Sequence, residues 1–282
     1  MQDERGDEFG FIIIFFMPSI LDKIFADKKE ELASVKRQVS LSDLKDRIAE
    51  RDYQVRDIEK VLQPGASSRI IAEVKPRTPF KGQLRENANP VDIAETYDSN
   101  GAAALSILTE STYFGGTLTT LEDAREVTNV PLLRKDFIFD EYQVYEARAF
   151  GADFFLLIAT WLDKSHLADL LALGKEVGLP ALVESHNEKD IEKAFSAEAT
   201  LLGINNRDLA SGKTDLGIAR RLIPMALQAP GSTLVCESGI HGRKEIEEFE
   251  ECGAHAFLIG ESLMTAEDIG AKLKEFTGVL PV

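Results

Sequence analysis

Glu73 and Lys75 stand two residues apart in an otherwise apolar run from Ile70, which Pro76, Pro79 and Gly82 bring to a stop. In an extended chain side chains alternate between faces, so both charges project to the side that Ile71 also takes. Taking an unpaired charge out of water is costly, so the two must neutralise one another, reach solvent or meet a charged ligand. A structural ion pair at a strand end is the plain alternative. Polar residues close other short apolar runs in the same way: Thr109-Glu110, Arg134-Lys135-Asp136, Glu184, Asn205-Asn206-Arg207 and Glu237-Ser238. Each taken singly reads as a solvated strand end. Carboxylates and ammonium groups brought together from several strands make instead a site for proton transfer and for holding anions.

The elements that must position these residues repeat. From Ile70 onward a short apolar strand, a turn and an amphipathic helix recur eight times, with strands at Ile70–Lys75, Ala103–Thr109, Leu132–Lys135, Phe154–Ala159, Ala181–Glu184, Leu201–Asn205, Leu234–Glu237 and Ala256–Gly260. The strands are apolar on both faces, as in a parallel sheet covered by helices on both sides or closed on itself. Eight such units fit a closed (β/α)8 TIM barrel better than an open doubly wound sheet, and no GxGxxG turn follows the first strand. Chemistry in such barrels sits at the C-terminal ends of the strands, where the polar residues above fall. The last two strands end in Ser238-Gly239-Ile240 and in Gly260-Glu261-Ser262-Leu263-Met264. Glycines there let a ligand approach the backbone, and a short helix beginning near Glu261 points free N–H groups into the same space, which predicts a phosphate site. Turn glycines are the alternative, and the Glu261 side chain must then point away. Before the barrel, Ile20, Leu21, Ile24, Phe25, Leu32 and Val35 recur at helical spacing, and a second helix with Leu41, Leu44 and Ile48 on one face takes Ser40 or Ser42 as its N-cap.

Composition narrows the function. The chain has 282 residues, 44% of them hydrophobic and 28% charged, with a formal net charge of −16. That charge suits neither nucleic acid nor an anionic membrane, so an anionic substrate must be held by a local basic site. Cys236 and Cys252 read as reduced structural thiols of a cytoplasmic protein. The histidines, His166, His186, His241 and His255, are scattered without metal-ligand spacing, and surface or packing roles are expected for them. The run Phe9–Phe16 is apolar but has an acidic flank and is too short to span a membrane. Residues 1–16 are therefore expected to be an extension outside the fold, with Met17 a candidate start, residues 17–66 a helical segment, and 67–282 the barrel.

Eight stretches in order, ILDKIFADKKEEL, AEVKPRTPFKG, ILTESTYFGG, PLLRKDFI, ALVESH, GINNRDL, CESGI and IGESLM, give the chain from Ile20 to Phe276 its resemblance to the indole-3-glycerol phosphate synthase family. The resemblance implies a carboxy-lyase of tryptophan biosynthesis that closes the ring of 1-(2-carboxyphenylamino)-1-deoxyribulose 5-phosphate with loss of CO2 and water, without cofactor or metal. It implies further that Lys135 is the general acid on the ketone oxygen and Glu184 the base for the dehydration. Lys75, oriented by Glu73, assists as an acid and binds the substrate carboxylate, while Asn205, Glu237 and Ser238 hold hydroxyls. Phe114 and Phe137 sandwich the aromatic ring, Arg207 meets its carboxylate, and Thr78, Gly239, Gly260, Glu261 and Ser262 form the phosphate site. The early helices resemble the family's segment lying across the barrel mouth.

One departure stands out. Where the family usually has Ser-Pro-Ser, this chain has Thr78-Pro79-Phe80, and Phe80 offers no hydroxyl to a phosphate. Relatives are often fused to phosphoribosylanthranilate isomerase, for which this length leaves no room. The expected partner is a small phosphorylated substrate, not nucleic acid or membrane, with a monomer or weak oligomer that associates with other enzymes of the pathway. A rival isomerase barrel would carry a Cys and an Asp as its acid–base pair, whereas these strand ends carry Lys and Glu.

Overall fold

The computed structural model describes residues 20–278 apart from residues 52, 209 and 230, so the expected extension 1–16 lies outside the described residues. Eight parallel strands form a closed barrel: β1 (Arg69–Val74), β2 (Ala104–Leu108), β3 (Leu132–Lys135), β4 (Phe154–Ile158), β5 (Ala181–Ser185), β6 (Leu201–Asn205), β7 (Thr233–Glu237) and β8 (Ala256–Ile259). Each pairs with its sequence neighbour, and β1 closes on β8 with Ile71 opposite Leu258. The strands alternate between two cores. Ile71, Ala104, Leu133, Leu156, Leu182, Leu201, Val235 and Leu258 fill the interior, whereas Ile70, Ala72, Leu105, Leu132, Phe155 and Val183 pack outward against the helices. This two-sided burial is why the strands read as unbroken apolar runs.

The outer helices follow from local signals. Asn89, Thr117, Asp140, Asp163, Asn187 and Asp268 each accept a backbone N–H at the start of a helix, fixing where α4 (Pro90–Ser99), α5 (Leu118–Val127), α6 (Glu141–Ala149), α7 (Lys164–Glu176), α8 (Glu188–Ser196) and α12 (Ile269–Thr277) begin. α9 (Gly217–Ala226) and α10 (Arg243–Glu251) cover β6 and β7, and the four-residue α11 (Glu261–Met264) follows β8 at the expected place.

Among the described residues three helices precede the barrel: α1 (Ile20–Gln38), α2 (Leu41–Arg51) and α3 (Ile58–Val61). Ser40, not Ser42, caps α2, exchanging hydrogen bonds with Asp43. The segment does not lie over the mouth as a whole. α1 does, with Leu21, Ile24 and Phe25 buried on the interior core. α3 sits at the opposite end, where Ile58 and Leu62 close the floor of the barrel, Glu59 accepts from Thr200 just before β6, and the Gln63 carbonyl accepts from Arg69 at the start of β1. A four-residue helix carries too little periodicity to be read in advance.

Candidate active site

Each inward-facing position at the C-terminal end of a strand is polar on β1, β3, β5, β6 and β7, and these side chains meet at one mouth. The Lys135 ammonium, from the end of β3, donates to Glu184 Oε2 at 2.8 Å and to Glu237 Oε2 at 2.9 Å. Glu73 and Lys75 form an ion pair, one of the outcomes that their spacing left open. Asn205 faces Glu237 in the strand register and accepts the Arg207 N–H at 3.0 Å. Together these groups line a cleft of about 330 Å³.

Burial and charge pull against one another here. Burial lowers the affinity of Lys135 for its proton, yet the carboxylates of Glu184, Glu237 and Glu73 together hold it above the usual lysine value. Burial likewise raises Glu184, but Lys135, His186 and hydrogen bonds outweigh it and keep this carboxyl well below its ordinary range. Glu237 goes the other way, because burial and the neighbouring Glu184 charge overcome the pull of Lys135 and raise it. Two carboxylates share one ammonium, so only one of them is held firmly ionised. Among the described residues Glu237 Oε1 has no hydrogen-bond partner; it is buried over Gly203, where a Cβ would lie 2.2 Å from it.

All of the residues expected in the site line this cleft: Lys135, Glu184, Lys75, Glu73, Asn205, Ser238, Glu237, Arg207, Phe114, Phe137, Thr78, Gly239, Gly260, Glu261 and Ser262. Phe114 and Phe137 have ring centroids 6.1 Å apart on one wall. Glu110 brings Phe114 there, since its carboxylate accepts the backbone N–H groups of Thr112, Tyr113 and Phe114. Ser238 and Gly239 turn with φ of 64° and 82°, a left-handed pair that the buried Asn206 amide fixes by donating to the Glu237 and Ser238 carbonyls. The absent side chain of Gly260 leaves room for the Glu73–Lys75 pair, since a Cβ there would lie 3.0 Å from Lys75 Nζ.

Some placements differ from the expectation. Arg207 is tied to Glu261 at 2.9 Å and to the Gly212 carbonyl at 3.1 Å, which puts it beside the residues expected to hold phosphate, not beside Phe114 and Phe137. Glu261 need not point away, because Arg207 and Lys81 both pair with it. Phe80, 40% exposed, lies over Gly212, where a Cβ would be 2.5 Å from its ring. Lys81 was not singled out from the sequence, although it is the next residue of the same loop. α1 adds Ile20, Leu21 and Ile24 to the cleft. It is held by Lys28, 3.0 Å from Asp136, by Phe25 against Phe137 and Trp161, and by Asp27, which accepts from Tyr113. Nor are all the histidines remote. His186 Nε2 lies 3.3 Å from Glu184 Oε1, and His241 Nδ1 is 3.1 Å from the Ser262 hydroxyl.

A closed parallel barrel with a lysine–carboxylate cluster at the C-terminal ends of its strands defines the class, a (β/α)8-barrel enzyme. Solved structures agree on the fold alone. Thiamine phosphate pyrophosphorylase from Pyrococcus furiosus superposes with a TM-score of 0.57 at 14% identity, covering 78% of this chain and 96% of that one. The tryptophan synthase A-subunit of P. furiosus gives 0.57 at 12%, covering 75% and 98%. The family model for indole-3-glycerol phosphate synthase matches residues 21–276. Relatives of that name from Campylobacter jejuni strain 81-176 (43% identical over 257 residues, 90% of this chain and 98% of the relative) and Dehalococcoides mccartyi strain CBDB1 (42% over 259 residues, 91% and 99%) align nearly end to end. The chain belongs to the indole-3-glycerol phosphate synthase family, the carboxy-lyases of tryptophan biosynthesis.

Proposed function

We propose that the cleft closes the indole ring of 1-(2-carboxyphenylamino)-1-deoxyribulose 5-phosphate, with Lys135 and Glu184 as acid and base. The observation that carries this reading is the Lys135 ammonium 2.8 Å from Glu184 and 2.9 Å from Glu237 at the inner end of the cleft. As the aromatic carbon bearing the carboxylate attacks the ketone carbon, Lys135 gives a proton to the ketone oxygen. The C–CO2 bond then breaks, and its electron pair restores the aromatic ring. Loss of the new hydroxyl as water follows, with Glu184 taking a proton from the methylene carbon beside the nitrogen and Lys75 assisting as acid. An ammonium kept charged by neighbouring carboxylates, beside a carboxyl kept ionised, meets these demands at neutral pH.

Lys75, with Glu73 fixing its ammonium, takes the substrate carboxylate. Phe114, Phe137 and the apolar face of α1 hold the aromatic ring, and Asn205, Glu237 and Ser238 meet the hydroxyls. The phosphate falls at the other end of the cleft, among Thr78, Gly239, Gly260 and Ser262. Arg207 and Lys81 provide the cations there, with Glu261 held between them. Residues 17–66 act as a segment separate from the barrel at 67–282, although it serves both its mouth and its floor. The enzyme works in the cytoplasm as a monomer or weak oligomer, in association with other enzymes of the pathway.

Formation of indoleglycerol phosphate, followed by fluorescence, tests the assignment in the wild type and Lys135→Ala. The expected outcome is turnover in the first and none measurable in the second, with unfolding transitions of both still cooperative; full activity in Lys135→Ala refutes the assigned role.

A further inference from the structure

Proton bookkeeping in the proposed reaction leaves a demand that the groups touching the substrate do not meet. The ketone oxygen leaves as water and so gains two protons, while only one is released, from the methylene carbon. The substrate carboxylate departs as CO2, so each turnover draws one proton from solvent. Glu184 and Glu237 are buried and the Lys135 side chain is only 14% exposed, so closure of a substrate over them removes water from the cleft side.

Glu184 has a second face. Oε2 meets Lys135 at 2.8 Å, while Oε1 looks toward His186 Nε2 at 3.3 Å, on the side of the strand end away from the lysine. His186 is 11% exposed, and its other nitrogen, Nδ1, lies 3.4 Å from the hydroxyl of Thr160, an exposed residue. The Thr160 hydroxyl donates its single proton to Asp190 Oδ2 at 2.7 Å, which leaves the hydroxyl oxygen to accept from His186 Nδ1. In that tautomer the neutral ring has no proton on Nε2, whereas the protonated ring turns its Nε2–H to Glu184 Oε1 and supplies the charge that helps to lower that carboxyl. A vacancy for one proton between an imidazole and a carboxylate is the arrangement a relay needs. The groups facing this ring are Glu184 on β5, Thr160 after β4, Asp190 on α8, and Asp208 in the loop after β6, whose carboxyl is lowered chiefly by Ser211 and also senses His186.

We propose that His186 carries the proton consumed in each turnover from solvent to Glu184 Oε1, and that Glu184, turning its carboxyl, recharges Lys135 twice, once with this proton and once with the methylene proton, so that Lys135 supplies both protons of the departing water while Lys75 assists by hydrogen bonding without giving up its own. His186 touches no reacting atom. It is a positioning residue acting through Glu184, and the inference rests on the ring-closure reading above.

The backbone N–H of His186, not its ring, donates to Asp190 at 3.0 Å, so exchanging the ring leaves that turn intact. His186→Ala and His186→Gln are compared with wild type by kcat and KM from pH 5.5 to about 9, with and without added imidazole. The expected result is a kcat lower by about tenfold or more with KM little changed, a loss that deepens as pH rises and protons become scarce, and recovery of His186→Ala by imidazole. A kcat–pH profile unchanged in both variants, or a loss that imidazole does not relieve, overturns the inference. Wild type that forms no indoleglycerol phosphate would instead overturn the underlying reading of function.

Discussion

β3 carries two buried charge clusters on its opposite faces, and they are built to different rules. On the outer face Arg134 donates to Glu146 at 2.6 Å, to Asp136 at 3.1 Å and to the Gln143 carbonyl at 2.7 Å, while Asp136 also accepts from Lys28, Thr109 and the Phe137 N–H. Two cations meet two buried anions there, with the exposed Glu31 also on Lys28, and each carboxylate has its partner. On the inner face one ammonium serves Glu184 and Glu237, and a carboxylate oxygen of Glu237 goes without. A satisfied network holds strand, helix and α1 in one arrangement. An under-satisfied one keeps protons easy to move.

The largest effect separates the clusters most sharply. Lys135→Ala is expected to lower kcat by on the order of a thousandfold or more while the protein still unfolds cooperatively, as read by fluorescence assay and thermal melting. Arg134→Met should act in the opposite sense, costing about 3–5 kcal/mol in urea denaturation because Glu146 and Asp136 are left buried without their guanidinium. An Arg134→Met protein as stable as wild type would break the comparison. Glu237→Gln sharpens it from the inside. The wild-type carboxyl is raised above its ordinary value of 4.5, so its contribution to stability is present below that pH and is lost as pH climbs through the raised value. Glu237→Gln is therefore expected to gain on wild type by about 1 kcal/mol as pH increases, and to lose turnover. The smallest effect belongs to the outer cluster's anion. Burial raises the Asp136 carboxyl, but Lys28 and Arg134 outweigh it and hold it at about 2, so its contribution is full above the ordinary 3.8 and fades as pH falls through about 2. Lys28→Met should reduce that acid-side dependence, measured as melting temperature against pH.

Much of this was legible in the sequence because it depends on faces rather than partners. Runs buried on both sides read as strands, and the period of two put Glu73 with Lys75 on one face. The start of α2 was legible to within two residues, as Ser40 or Ser42, since a capping side chain reaches only two or three residues ahead. What stayed hidden needs a meeting of distant segments. Nothing local says that Lys28 will find Asp136, that Glu261 will stand between Lys81 and Arg207, or that His186 will turn its ring toward Glu184. Nor did glycine reveal its reason: Gly260 serves a neighbouring ion pair, and Gly203 makes a seat for Glu237.

The leading segment touches both ends of the barrel, α1 at the mouth and α3 at the floor, and this has a kinetic consequence. These helices leave the ribosome before the strands, so the surfaces they cover, the end of β3 above and the start of β6 below, are made only later. Until then Leu21, Ile24, Phe25, Ile58 and Leu62 have nothing to bury against. The nascent chain carries these apolar faces uncovered until β3 and β6 are made, and docking of α1 and α3 becomes a late event of folding.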